Sequence, residues 1–255
     1  MTEPLALYIH WPFCVSKCPY CDFNSHVRES VDQDEWRAAL LRDMAHEAGL
    51  TGDRPIGSIF FGGGTPSLMP PATVAALITD AQARWGFVPD VEITLEANPS
   101  SVEAARFGDL AAAGVNRVSL GLQSLDDDAL VFLGRAHDVH EGLAALETAQ
   151  RHFERTSFDL IYARPRQTPE DWRRELGQAA GVQAVDGPDG PFHQQRGRQV
   201  PADLRRGRQV AALAVALEER LGQGRGPPPV VLAHQGAELD PGQHAMLRRT
   251  QLHRD

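Results

Sequence analysis

Short apolar runs alternate with amphipathic stretches along the first 180 residues of this 255-residue chain, and that alternation restricts its fold more than any other feature. The runs are Leu5–Ile9, Ser58–Phe61, Glu92–Leu95, Arg117–Gly121 and Phe158–Ile161, each too short for a helix. Between them, Trp36, Leu40, Leu41 and Met44 share one helical face, with Asp32 or Asp34 placed to cap it. Val74, Leu77, Ile78, Ala81 and Trp85 repeat the pattern. Ser100 is placed to cap a helix carrying Phe107 and Leu110, and Thr168-Pro169-Glu170-Asp171 reads as a cap, a first-turn proline and an acidic first turn. Strand–helix units of roughly 30–40 residues imply right-handed crossovers onto a parallel sheet. A closed eightfold barrel takes roughly 250 residues. The predicted fold is therefore α/β, a partial (β/α) TIM-like barrel, with ligands expected at the carboxyl ends of the strands.

Residues 181–255 read differently. They hold one aromatic, Phe192, where the first 180 hold 16, and 17 of these 75 residues are Gly or Pro. Such text buries too little apolar surface to offset chain entropy. The expected organisation is a core domain over 1–180 and a divergent, poorly ordered tail over 181–255. Within the tail, 209–222 is a candidate helix, with Leu213, Leu217 and Leu221 at helical spacing, and Pro229–Ala233 is a candidate late strand.

A net charge of −9 and a pI near 5.6 argue against a phosphate-backbone footprint, so no nucleic-acid partner is expected. No apolar run approaches the roughly 18 residues of a membrane span, and Met1-Thr2-Glu3-Pro4 does not open a secretory leader. Three cysteines, all within eight residues, speak for a reducing, cytoplasmic compartment and against a disulfide framework.

Those cysteines, Cys14-Val-Ser-Lys-Cys18-Pro-Tyr-Cys21, follow the first strand directly. Three readings are open. A structural zinc could take His10 or His26 as fourth ligand, although no second cysteine knuckle exists. Three free thiols are a second reading. The third is a four-iron cluster, in which three thiolates leave one iron for a small molecule to bind.

The triplet, with Tyr20 before its last cysteine, resembles the radical S-adenosylmethionine superfamily. Tyr8-Ile-His-Trp-Pro-Phe-Cys14, Cys21-Asp-Phe-Asn-Ser25, Phe60-Phe-Gly-Gly-Gly-Thr-Pro-Ser67, Thr94-Leu-Glu-Ala-Asn-Pro99, Val118-Ser-Leu-Gly-Leu-Gln-Ser124, Leu133-Gly-Arg-Ala-His137 and Phe158-Asp-Leu-Ile-Tyr162 come in the order of its oxygen-independent coproporphyrinogen III oxidase group. Within that group they are most similar to the haem chaperone branch, HemW, over about residues 5–178. The resemblance implies a 4Fe-4S cluster on Cys14, Cys18 and Cys21, with S-adenosylmethionine on the open iron. It implies cofactor contacts at Gly63, Gly64, Thr65, Glu96, Gln123, Arg135 and Asp159, with Tyr8 and Tyr20 packed near adenosine and cluster. An ion pair between Arg135 and Asp159 is the structural alternative. The glycine run lacks the Gly-Lys-Ser/Thr of a phosphate loop. Asp126, Asp127 and Asp128 read as a helix cap rather than a metal site, and His137 and His140 lack neighbouring ligands.

The implied function is binding haem and handing it to an acceptor protein, with a reductant such as flavodoxin or ferredoxin. The enzyme alternative is coproporphyrinogen III oxidase in porphyrin biosynthesis; another alternative is an inactive, truncated or zinc-bound remnant. Two departures bear on this. The oxidases carry a further cysteine two residues after the triplet, where this chain has Phe23. The resemblance also ends near residue 178, which raises the expectation that the reading frame was lost there.

Overall fold

The computed structural model describes residues 4–52 and 54–183. In chain order these form β1 (Leu5–Trp11), β2 (Phe13–Cys14), β3 (His26–Val27), α1 (Gln33–Thr51), β4 (Ile56–Gly63), α2 (Pro71–Trp85), β5 (Phe87–Ala97), α3 (Ser101–Ala104), α4 (Phe107–Ala112), β6 (Arg117–Gln123), α5 (Asp127–Phe132), α6 (Val139–His152), β7 (Arg155–Leu160) and α7 (Pro169–Gln183). Five strands make one sheet in the order β1-β4-β5-β6-β7, and every neighbouring pair is parallel. The five expected strands are all there, and the expected partial barrel is this sheet with its crossover helices. The expectations for 209–222 and 229–233, and for order in the tail, lie outside the described residues.

Register separates the two faces. Tyr8 pairs with Phe60, Phe60 with Thr94, Glu96 with Ser119, and Ser119 with Ser157, so these residues share one face with His10 and Asp159. The opposite face carries Ile9, Ile59, Phe61, Leu95, Val118 and Leu120, all buried. It packs with Val74 and Leu77 of α2, Phe107 and Leu110 of α4, and Leu146 and Ala149 of α6 into one core. Each such large side chain contributes about 1.5–3 kcal/mol on burial. The core therefore fixes the sheet from one side and leaves the polar face and the carboxyl strand ends for chemistry.

Local signals hold at most helix starts. Asp32 accepts from Glu35 N at 2.9 Å, Asp126 from Ala129 N at 2.8 Å, and Thr168 from Asp171 N at 3.1 Å. Ser100 caps α3 rather than the helix of Phe107. The expected single helix is broken at Ala105–Arg106, where the Arg106 guanidinium donates to the Ser67 and Met69 carbonyls at 3.0 and 2.7 Å. No helix is read over 139–152 from the sequence. The buried stripe of α6 consists mostly of small residues, Gly142, Ala145 and Ala149 beside Leu146.

Candidate functional site

The chain leaves β1 across the glycine run. Gly64 N donates to Trp11 O at 2.6 Å, and Thr65 N to Phe13 O at 2.8 Å. A Cβ on Gly64 would lie 2.6 Å from the Phe13 carbonyl oxygen, and one on Gly63 (φ +116°) 2.6 Å from His10 Cε1. The glycines are thus required by the close passage of the segment leading to Cys14. With these amides engaged, carbonyls are the groups the run can offer an ammonium ligand.

The cysteine loop is closed at both ends. Phe13 and Cys14 pair in parallel with His26 and Val27, and His26 N donates to Pro12 O at 2.7 Å. His10 Nε2 bonds Asn24 O at 3.0 Å, so the carbonyl requires a proton there; Nδ1 then accepts from the Tyr8 hydroxyl at 3.2 Å. Both His10 nitrogens are engaged, which removes it as a fourth zinc ligand in this arrangement. Cys14, Cys18 and Cys21 are half-buried free thiols. Among the described residues no three His, Cys, Asp or Glu side chains converge so as to hold a metal ion. A single tetrahedral ion needs its ligands within about 2.3 Å of one point, whereas a four-iron cube takes each thiolate on a separate iron, so its sulfurs surround one core at wider spacing.

Beside the loop, the ends of β4, β5 and β6 meet. Arg135, just beyond α5, donates from Nη1 to Cys18 Sγ and to the Tyr20 hydroxyl, both at 3.3 Å. Its Nη2 donates to Asn98 Oδ1 at 2.7 Å and to Gly121 O at 2.9 Å. Asn98 Nδ2 reaches Thr65 Oγ1 at 3.4 Å. A Cβ on Gly121 would lie 2.9 Å from Gln123 Nε2 and 3.6 Å from Arg135 Nη2, so the two side chains meet over that glycine. Gln123 is held at φ 71°, a strained conformation for a residue with a side chain. All four Arg135 bonds go to neutral groups, which speaks against the structural ion-pair reading for that residue.

Electrostatics mark the same corner. Burial, then the nearby charge of Asp159, raises the Glu96 carboxyl to about 7 against the donation of Gly63 N–H at 3.3 Å. Burial also raises the Tyr8 phenol to about 12, with Glu96 adding to the effect. The Tyr20 phenol is raised by burial, with Arg135 acting in the opposite direction.

Two buried polar atoms here have no partner, Gln123 Oε1 and Arg135 Nε. Unsatisfied buried groups are costly. One needs a donor and the other an acceptor, and a ligand carrying ammonium or hydroxyl donors together with a carboxylate supplies both. One soft thiol, Cys18, stands 3.3 Å from Arg135 Nη1, in the loop that also carries Cys14 and Cys21. The residues present therefore fit an iron–sulfur cluster bearing an amino-acid-like ligand. Of the residues singled out in the sequence, Cys18, Tyr20, Thr65, Gln123 and Arg135 are joined by direct contacts or by Asn98 and Gly121. Gly63 and Tyr8 connect through Glu96, which also senses Asp159. Asn98 and Gly121 were missed. Both lie inside motifs that carry the resemblance, and a glycine inside a strand was a further signal for Gly121. His137 binds the Leu122 carbonyl at 3.2 Å, and no role as a metal ligand is indicated.

Comparison with known proteins identifies the family. Residues 8–177 match the model of the radical SAM superfamily. Over 177 residues the chain is 47% identical to radical S-adenosyl methionine domain-containing protein 1, mitochondrial, of Bos taurus, covering 69% of this chain and 40% of that protein. It is 43% identical over 178 residues to the heme chaperone HemW of Escherichia coli, covering 69% of this chain and 47% of that one. Among solved structures, coproporphyrinogen III oxidase HemN of Escherichia coli superposes with a TM-score of 0.62 at 32% identity, over 70% of this chain and 42% of that chain. The chain thus spans less than half the length of each of these relatives. No helix among the described residues is long and apolar enough to cross a membrane. With the matched region reaching from β1 into α7, the chain belongs to the radical SAM superfamily.

Proposed function

We propose that this chain carries the cofactor-binding half of a HemW-like haem chaperone of the cytoplasm, binding haem and passing it to an acceptor protein. The observation that carries the reading is the pair of orphaned buried atoms, Gln123 Oε1 and Arg135 Nε, beside a thiol loop in which Arg135 already touches Cys18. In this reading Cys14, Cys18 and Cys21 hold a 4Fe-4S cluster, and S-adenosylmethionine lies across the ends of β4, β5 and β6. Cluster and S-adenosylmethionine together supply one-electron reductive chemistry, driven by a flavodoxin- or ferredoxin-like donor. The chain's own residues do the positioning. Carbonyls of Gly63 and Gly64 and the carboxyl of Glu96 receive an ammonium group, and Arg135 receives a carboxylate. Gln123 accepts from a hydroxyl or amine, Asp159 holds the sheet-face end of the ligand, and Tyr8 and Tyr20 keep water from it.

Haem rather than coproporphyrinogen is favoured as cargo because Phe23, 38% exposed, stands where the oxidases carry an additional cysteine. The likeness to HemN supports the porphyrin alternative, which an anaerobic decarboxylation assay on coproporphyrinogen tests. The central experiment is anaerobic reconstitution with iron and sulfide beside a haem titration. The expected product is brown, with about four irons per chain, cleaves S-adenosylmethionine when reduced, and binds haem. Cys18→Ser should lose the iron while keeping the fold. A colourless, zinc-loaded or metal-free chain would defeat the reading in favour of an inactive remnant.

A further inference from the structure

Arg135 is held in an unusual way for a half-buried arginine. Its two terminal nitrogens make four bonds, to a thiol, a phenol, a side-chain amide and a backbone carbonyl. None of these cancels its charge. The charge is instead aimed at one sulfur, Cys18 Sγ, 3.3 Å from Nη1. What aims it is Asn98, whose Oδ1 takes Nη2 at 2.7 Å while its Nδ2 is anchored on Thr65 Oγ1 at 3.4 Å. Asn98 also has its backbone fixed, since its N–H donates to the buried carboxylate of Glu103 at 2.9 Å. Glu103 in turn accepts from the fully buried Ser67, just past the glycine run. A chain of bonds therefore runs from the core of the β4 turn through Asn98 to the guanidinium and ends on one cysteine.

A positive charge and an N–H donor on a thiolate ligand both stabilise the more negative, reduced state of an iron–sulfur centre, and so raise its reduction potential. We propose that Arg135 sets the reduction potential of the cluster by acting on the Cys18 sulfur, and that Asn98 is the positioning residue that aims it. This rests on the cluster reading above, and it assigns the Arg135–Asn98 pair a role separate from ligand binding. It predicts an asymmetric centre, with the iron on Cys18 electronically distinct from those on Cys14 and Cys21.

The test uses the full chain, reconstituted anaerobically, with iron and sulfide content measured before an EPR-monitored redox titration without S-adenosylmethionine. Arg135→Gln should lower the midpoint potential so that the one-electron equilibrium moves at least tenfold, about 59 mV, at unchanged iron content. Asn98→Ala should move it in the same direction by less, because the charge remains but loses its aim. Arg135→Lys, which keeps the charge without the fork, should fall between the wild type and Arg135→Gln. A loaded Arg135→Gln protein with an unchanged potential overturns the proposal and leaves the cluster reading intact. Should Arg135→Gln fail to fold, an unchanged potential in both Asn98→Ala and Arg135→Lys overturns it equally. A wild-type chain that takes up no cluster ends both.

Discussion

Two half-buried arginines bond to the exit of β6, and they are satisfied in opposite ways. Arg164 meets Glu175 with both terminal nitrogens, at 3.1 and 2.7 Å, and the two side chains are only 11% and 6% exposed. Ser124, Gln167 and the Leu125 amide fill the remaining valences of that carboxylate. The result clamps α7, through Trp172 and Leu176, onto the loop after β6. Arg135 bonds the Gly121 carbonyl within β6, has only neutral partners, and leaves Nε unpaired. A buried charge that is cancelled fixes structure; one that is merely oriented keeps its field available to a ligand. The contrast separates scaffold from site within a few residues of sequence.

The comparison breaks most visibly at Glu175. Glu175→Ala strands the Arg164 charge in the interior and should cost about 3–5 kcal/mol in urea unfolding, whereas a clamp of no importance would leave the midpoint where it is. Glu96 sharpens the other side. Its folded carboxyl titrates at about 7, above the usual value of 4.5. Between those pH values the folded chain holds a proton that the unfolded chain has released. The stabilisation from this group is therefore complete below about 4.5 and is lost as pH rises through about 7. In the cofactor-free protein Glu96→Gln should be more stable than wild type by about 1–3 kcal/mol at pH 8, with no gain at pH 4.5; thermal melts across pH would show it. Gly121→Ala has the smallest effect on folding, about 1 kcal/mol, because its Cβ meets side-chain ends that can shift. It should nevertheless weaken S-adenosylmethionine binding to the reconstituted protein about tenfold, ~1.4 kcal/mol, by titration calorimetry. Equal affinity would mean that Gln123 and Arg135 do not receive the ligand over that glycine.

What the sequence made legible was whatever local pattern dictates. Short apolar runs located all five sheet strands, and Asp32, Asp126 and Thr168 announced their helices because a cap acts within three residues. What stayed hidden depends on distant partners. The break between α3 and α4 coincides with Arg106 bonding Ser67 and Met69 across the fold, and no local signal encodes that. Asn98 looks like any polar residue after a strand until Thr65 and Arg135 are seen on its two ends. The Arg164–Glu175 pair, eleven residues apart, gave no sign that it would be buried. The cysteine spacing was fully visible, and the ordered motifs carried its meaning and pointed to Arg135 as a site residue; that this arginine lies against the Cys18 sulfur was not visible.

The short ladder between β2 and β3 has a kinetic corollary. It ties the hoop bearing the three thiols shut through protein bonds alone, helped by those from His26 to Pro12 and from His10 to Asn24. Closing a flexible hoop of roughly a dozen residues costs on the order of 2 kcal/mol in chain entropy, and here the backbone has already met that cost. Stripping by a chelator should therefore empty the hoop without collapsing it, and refilling should be fast and repeatable, in the manner of a socket.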